Sequence, residues 1–176
     1  MDYRKLGRTD LKVSAIALGT MTWGEQNTQA EAFEQIACAK NAGINFIDTA
    51  EMYPVPPKAE TYATTERYIG NWFKERGDRA DWVLASKIAG PGNGIDYIRD
   101  GNLKHNRTHI VQALDASLKR LQTDWIDLYQ LHWPERSTNF FGSGGTSTLA
   151  SHIITPSPSI NRQLNAITTK STRVAT

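Results

Sequence analysis

The sequence predicts an α/β fold of about four strand–helix units, followed by an irregular tail. Short apolar runs that end abruptly recur about every 37 residues, and an amphipathic helix pattern separates each run from the next. After residue 141 this alternation stops and the composition changes. Strands that alternate with helices form parallel βα units, in which each crossover helix covers the sheet.

The first unit begins after a predicted hairpin. Two short runs, 3–6 and 11–13, flank a polar segment that contains Gly7. Residues 15–18 form an apolar run that ends at Gly19 and is typical of a buried strand. Asn27 or Thr28 can cap the helix that follows, whose apolar face ends before Gly43.

Three further units follow the same pattern. The second strand is predicted at 45–48, and a helix with apolar residues at 3/4 spacing then ends near Gly77. The third strand is predicted at 82–87, before a helix that Asn106 or Thr108 can cap. The fourth strand is predicted at 126–132.

Chain length favours one parallel architecture over another. At the observed spacing an eight-unit barrel needs about 300 residues. A doubly wound sheet of four or five strands fits 176 residues better. Length alone therefore argues against the barrel. The polar residues at the strand ends provide the evidence that distinguishes the barrel from the doubly wound sheet.

The tail, residues 142–176, differs from residues 1–141 in composition. It holds no acid and no aromatic residue, but six Ser and seven Thr. One interpretation is a flexible, irregular tail or linker. The other interpretation is out-of-frame or otherwise non-native sequence appended to a truncated domain. We favour it because the composition changes soon after the fourth predicted strand, in the middle of the alternating strand–helix pattern.

Composition and charge exclude several classes of function. The net charge of +2 predicts neither a nucleic-acid nor a membrane-surface partner. No apolar run approaches the roughly 18 residues of a spanning helix, and no secretion signal is visible. The single cysteine, Cys38, excludes an internal disulfide, and we expect it to be packed and inert. These features predict a soluble, cytoplasmic protein.

Ionisable side chains end three successive strands. Asp48, Lys87 and His132 occupy matched positions, and Tyr53 follows Asp48 by five residues. In a parallel barrel such ends form one rim, where reactive groups converge. The alternative is that each is an ordinary strand-end polar group or packed tyrosine, but three matched positions favour a site.

The four side chains suit carbonyl reduction. A free phenol has a pKa near 10, and a neighbouring ammonium lowers it, so Lys87 would make Tyr53 a better proton donor. Asp48 would hold Lys87 in place, and His132 could orient a carbonyl oxygen. Such a site protonates oxygen while a hydride donor attacks carbon.

Four segments, in order, carry a family resemblance. They are residues 18–24 (LGTMTWG), 45–53 (NFIDTAEMY), 85–87 (ASK) and 117–134 (SLKRLQTD followed by DLYQLHWP). Together they resemble the aldo-keto reductases, most closely the bacterial Tas-like branch, over about residues 1–142. The resemblance implies a (β/α)₈ TIM barrel of which this chain carries the N-terminal half. It also implies an NADPH cofactor bound without a Rossmann fold, and a small aldehyde or ketone as substrate.

The family's functional positions carry over residue by residue. The catalytic residues would be Asp48, Tyr53, Lys87 and His132, and the cofactor-binding residues Gly19, Thr20, Met21 and Asp48. By the same analogy, Trp23 and the loop 54–57 would line the substrate mouth. In this family most of the remaining cofactor contacts come from the second half of the barrel, for which residues 142–176 offer no counterpart. An alternative function is therefore a truncated, non-catalytic half-barrel that needs a second chain or the missing half.

Two other motifs are interpreted as structural. The glycine-rich segment 90–94 lacks the spacing of a dinucleotide loop, and we expect an active-site loop there. His105 and His109 lie four residues apart, but no carboxylate or cysteine completes a ligand set. We therefore predict no metal site.

Overall fold

The computed structural model describes residues 1–135, and the predicted tail, 142–176, lies outside the described residues. The strands are β1 (Tyr3–Lys5), β2 (Lys12–Ser14), β3 (Leu18–Gly19), β4 (Phe46–Asp48), β5 (Val83–Ile88) and β6 (Leu128–Leu131). The α-helices are α1 (Gln29–Asn41), α2 (Thr64–Arg76) and α3 (Arg107–Leu121), and short 3₁₀ helices span Arg79–Asp81 and Ile98–Gly101. No helix in residues 1–135 is long and apolar enough to cross a membrane.

The main sheet has the topology of a partial TIM barrel. Its four strands are parallel and lie in the order β3-β4-β5-β6, so each pairs with the next along the chain. A doubly wound sheet reverses its strand order at a switch point, and this sheet does not. The predicted α/β units are confirmed, whereas the argument from length alone pointed to the wrong architecture. The first strand is shorter than predicted: it spans Leu18–Gly19, and residues 15–17 are exposed rather than buried. The strands β1 and β2 form the predicted antiparallel hairpin.

Local sequence signals position the helices. The Thr28 side chain accepts a hydrogen bond from the backbone N–H of Glu31, and the Glu31 carboxylate accepts one from the Thr28 N–H, which completes a capping box. The Asn106 side chain caps α3 by accepting a hydrogen bond from the backbone N–H of His109. Gly77 ends α2 in the left-handed conformation that glycine adopts without strain.

The strands divide their side chains between two faces. Ile47 and Leu84 pack with the buried residues of α1 and α2, and Ile88 packs with Ile110 of α3. The aromatic residues Trp72, Phe73 and Trp82 are buried in the same core. Because side chains alternate along a strand, the neighbours of these apolar residues project from the opposite face. That face carries the ionisable residues of the strand ends.

Candidate active site

An ion pair joins the ends of two neighbouring strands. The Lys87 Nζ atom donates to Asp48 Oδ2 at 2.7 Å and to the Thr49 carbonyl oxygen at 2.8 Å. The Lys87 side chain is only 13% exposed, and that of Asp48 is 34% exposed. Two short contacts to oxygen fix the ammonium group at the carboxyl end of the sheet.

Tyr53 lies beside this ion pair. It is 8% exposed, and its ring centroid is 5.0 Å from Lys87 Nζ. Burial raises the pKa of the Tyr53 phenol, and the Asp48 carboxylate raises it further. The net change in the Tyr53 pKa is therefore upward, opposite to the expected direction, because the hydrogen bonds of the Lys87 ammonium go to Asp48 and Thr49.

His132 completes the group from the third strand end. Its backbone N–H donates to the Ile88 carbonyl at 3.0 Å, and its ring packs edge-on against Tyr53 with centroids 5.5 Å apart. Burial and the nearby Lys87 charge lower the pKa of His132 to about 4. Its Nδ1 atom is buried and has no hydrogen-bond partner among the described residues. The imidazole is therefore neutral at neutral pH and carries one N–H.

The structure thus brings all four predicted catalytic side chains to one rim of the sheet. Parallel strands place their carboxyl ends at the same edge, which is why residues far apart in sequence meet there. A neutral phenol, an ammonium held by a carboxylate, and a neutral imidazole can together protonate and orient a carbonyl oxygen.

The residues predicted to bind the cofactor adjoin this rim. Gly19 lies opposite Asp48 in the register of β3 and β4, and the buried Thr20 hydroxyl donates to the Asp48 carbonyl at 2.9 Å. The Met21 side chain is half exposed, and its carbonyl accepts from the Val55 N–H at 2.8 Å. A Cβ atom added at Gly19 would meet nothing within 4 Å, so open space lies directly beside the ion pair.

Trp23 does not line the substrate mouth. It is fully buried in the cluster between α1 and α2, and its Nε1 donates to Gln35 Oε1 at 2.9 Å. The expectation for Trp23 is wrong because the loop after β3 folds back towards α2. There the backbone carbonyl of Trp23 accepts a hydrogen bond from the Thr65 hydroxyl. The expectation that Cys38 is packed is also wrong, because this residue is exposed on α1.

The glycine-rich segment 90–94 lies next to the site. Trp133, the residue after His132, donates from Nε1 to the Pro91 carbonyl at 2.7 Å, and its ring lies 4.8 Å from that of His132. A Cβ atom at Gly90 would lie 2.7 Å from Trp133 Nε1. The absence of a side chain at Gly90 therefore allows this loop to approach the rim. Residues 1–135 contain no cluster of His, Cys, Asp and Glu that could hold a metal ion.

Sequence reasoning missed a buried ion pair near the site. Glu51 lies two residues before Tyr53 and pairs with Arg99, and their side chains are 1% and 4% exposed. A glutamate inside a strand-end segment was the available signal. Its partner lies 48 residues away, and the helix and strand patterns do not indicate their contact.

Comparison with known proteins gives a consistent assignment. The model of the "Aldo/keto reductase family" matches residues 15–169. Protein tas of Escherichia coli is 50% identical over 147 residues, which cover 84% of this chain and 42% of that protein. An uncharacterized oxidoreductase of Bacillus subtilis is 42% identical over 143 residues, covering 78% of this chain and 42% of that protein. The chain spans about two fifths of the length of these curated relatives.

Solved structures agree with the sequence matches. An aldo-keto reductase from Bacillus halodurans, in its holo form, superimposes with a TM-score of 0.58 at 31% identity. The match covers 74% of this chain and 40% of that one. A Pseudomonas aeruginosa protein assigned to the same family gives a TM-score of 0.59 at 33% identity, covering 73% of this chain and 46% of that one. The chain therefore belongs to the aldo/keto reductase family.

Proposed function

We propose that this chain carries the proton-donating site of an NADPH-dependent oxidoreductase that reduces aldehydes or ketones, with Tyr53 as the proton donor. The observation that carries the proposal is the meeting of Tyr53 and His132 with the Lys87–Asp48 ion pair at one rim. Because the chain spans about two fifths of its relatives, the activity of a whole enzyme is part of the proposal.

Tyr53 is the residue suited to supply the proton. Its raised pKa keeps the phenol protonated at neutral pH, so the proton is available when a carbonyl oxygen becomes negative. The phenolate that remains would lie beside the Lys87 ammonium, which stabilises it electrostatically. Asp48 holds the ammonium in position through the 2.7 Å contact.

His132 is suited to orient the substrate rather than to protonate it. With its pKa at about 4, the ring is neutral at neutral pH, and a neutral imidazole is a very weak acid. It can still donate one hydrogen bond to a carbonyl oxygen. The edge-on contact of its ring with that of Tyr53, with centroids 5.5 Å apart, supports a role for both side chains at the same carbonyl oxygen.

The residues beside the rim fit the nicotinamide end of NADPH. The open space at Gly19 and the half-exposed Met21 leave room for a flat ring next to Asp48, and buried Thr20 fixes the loop between them. When bound, the cofactor would supply hydride to the carbonyl carbon. Gly19, Thr20, Met21 and Asp48 are the residues that would hold it.

The proposal is tested by turnover of NADPH with a panel of aldehydes and ketones, followed through the nicotinamide absorbance. The 176-residue chain is assayed alone and mixed with the carboxyl-terminal portion of the Escherichia coli relative. Turnover that Tyr53→Phe abolishes supports the proposal. Turnover that occurs only in the mixture supports the half-barrel alternative, in which a second chain is needed. Tyr3→Phe, which removes a hydroxyl bonded to the Gly43 carbonyl on the exposed hairpin, is the matched control.

A further inference from the structure

The segment that carries Tyr53 is fastened to β5 by its backbone. The Thr49 N–H donates to the Ala85 carbonyl, and the Glu51 N–H donates to the Lys87 carbonyl, both at 3.0 Å. These bonds extend the β4–β5 ladder toward the rim. They do not reach Tyr53, whose own N–H turns back to the Ala50 carbonyl.

The Glu51 side chain makes a second, buried attachment. Both carboxylate oxygens contact Arg99 Nη1, and Oε2 also accepts from the Ala89 N–H at 2.9 Å. Arg99 Nη2 donates to the Ala89 carbonyl at 2.9 Å. Both charged groups therefore converge on Ala89, two residues after Lys87. Charged side chains this deeply buried are rare unless they are paired and hydrogen-bonded.

The backbone around Arg99 adopts a conformation that needs support. Arg99 and Asp100 have φ values of +49° and +54°, in the left-handed region that disfavours residues with a side chain. Such conformations persist where the surrounding structure holds them, and they concentrate at functional sites. The contacts of the guanidinium group with Glu51 and Ala89 supply that support.

We propose that the buried Glu51–Arg99 pair positions Tyr53 over Lys87. The proposal rests on the function proposed above, and it makes Glu51 and Arg99 positioning residues for the proton donor. The pair ties three segments together: the one before Tyr53, Ala89 at the end of β5, and the 3₁₀ segment Ile98–Gly101. Because a buried ion pair adds little net stability over apolar residues, its value here is the fixed geometry.

The test is the ionisation of Tyr53 itself, which requires no turnover. A fluorinated tyrosine at position 53 of the full chain, with a phenol acidic enough to titrate while the protein stays folded, is followed by ¹⁹F NMR. Two variants disturb the Glu51–Arg99 pair without altering the net charge: Arg99→Lys, and Glu51→Gln combined with Arg99→Met. We expect the pKa at position 53 to fall in both, because a displaced phenol is less buried and lies further from Asp48.

A second buried pair provides matched controls at the opposite end of the sheet. Arg79 and Asp127 lie before β5 and β6, respectively, 2.7 Å apart, and are also mostly buried. Arg79→Lys, and Arg79→Met combined with Asp127→Asn, should lower stability and leave the titration at position 53 unchanged. An unchanged titration in folded Arg99→Lys would overturn the proposal, as would an equal shift in the controls. Failure of the reductase assay alone would refute the proposed function, and the titration would still decide the positioning role.

Discussion

Lys87 and Asp48 form a 2.7 Å ion pair although 39 residues separate them in sequence. The pairing follows from strand register, since Asp48 lies opposite Ala85 and Lys87 comes two residues later on the same face. The ammonium group therefore reaches back to the carboxylate and to the Thr49 carbonyl. This places a fixed positive charge beside Tyr53 before any ligand arrives.

Replacing Asp48 should make the Tyr53 phenol more acidic. The Asp48 carboxylate is the second cause of the raised pKa, after burial, and its loss also frees Lys87 to approach the phenol. We therefore expect Asp48→Asn to lower the pKa of Tyr53, measured by ¹⁹F NMR with a fluorinated tyrosine at position 53. Asp127→Asn, a substitution at the far end of the sheet, is the control and should cause no shift. A pKa that rises in Asp48→Asn would contradict the assigned electrostatics.

His132 should make the fold sensitive to mild acid. Its pKa is about 4 when folded against an ordinary 6.5, so the unfolded chain binds more protons between these values. The stability that neutral His132 contributes is present above about pH 6.5 and is lost as the pH falls towards 4. From pH 7 to pH 5 we expect a loss of about 1–2 kcal/mol, after allowance for solvent screening.

Chemical denaturation of the wild type and of His132→Asn at both pH values measures this contribution. The variant should lose less stability between pH 7 and pH 5, because Asn has no proton to bind. His105, whose pKa burial also lowers, is present in both proteins, and its contribution therefore cancels. Parallel losses in the two proteins would show that His132 is not the responsible group.

The site was predictable from sequence wherever strand periodicity fixes position. Asp48, Lys87 and His132 each end an apolar run, and parallel strands must bring such ends together. The helix caps Thr28, Asn106 and Gly77 were equally local signals, readable from residue type and spacing. These features depend on neighbours within a few residues.

Features that depend on loop paths were not predictable. Trp23 follows a strand end, as a mouth residue would, but the loop returns it to the core. The Glu51–Arg99 contact involves a segment with two consecutive left-handed residues that are not glycine, and the helix and strand patterns do not indicate this contact. The Tyr53 pKa was assigned the wrong direction because residue types alone could not show that Asp48 and Thr49 take the hydrogen bonds of Lys87.

Gly70 should be essential to the contact between α2 and α3. A Cβ atom there would lie 2.1 Å from the Arg120 carbonyl oxygen, a backbone atom that cannot move aside. Alanine in a helix interior is favoured over glycine by about 1 kcal/mol, whereas a forced backbone shift costs about 1–3 kcal/mol or more. We expect Gly70→Ala to destabilise the protein by up to about 2 kcal/mol in urea denaturation. An increase in stability would mean that the helices can separate without loss.

Substitution of Gly19 should affect the stability of the fold and the affinity for NADPH differently. Its φ lies outside the left-handed region, and an added Cβ would meet nothing within 4 Å, so alanine fits the folded backbone. Gly19→Ala should therefore leave stability unchanged or raise it by up to about 1 kcal/mol, because alanine restricts the unfolded chain. The same methyl group would occupy the space proposed for the nicotinamide ring.

We expect Gly19→Ala to bind NADPH at least about tenfold more weakly, equivalent to 1.4 kcal/mol, and Gly19→Val to weaken NADPH binding further. Calorimetric titration of the chain mixed with the carboxyl-terminal portion of the Escherichia coli relative measures the affinity, and urea denaturation of the chain measures the stability. Unchanged affinity in both variants would place the nicotinamide ring elsewhere.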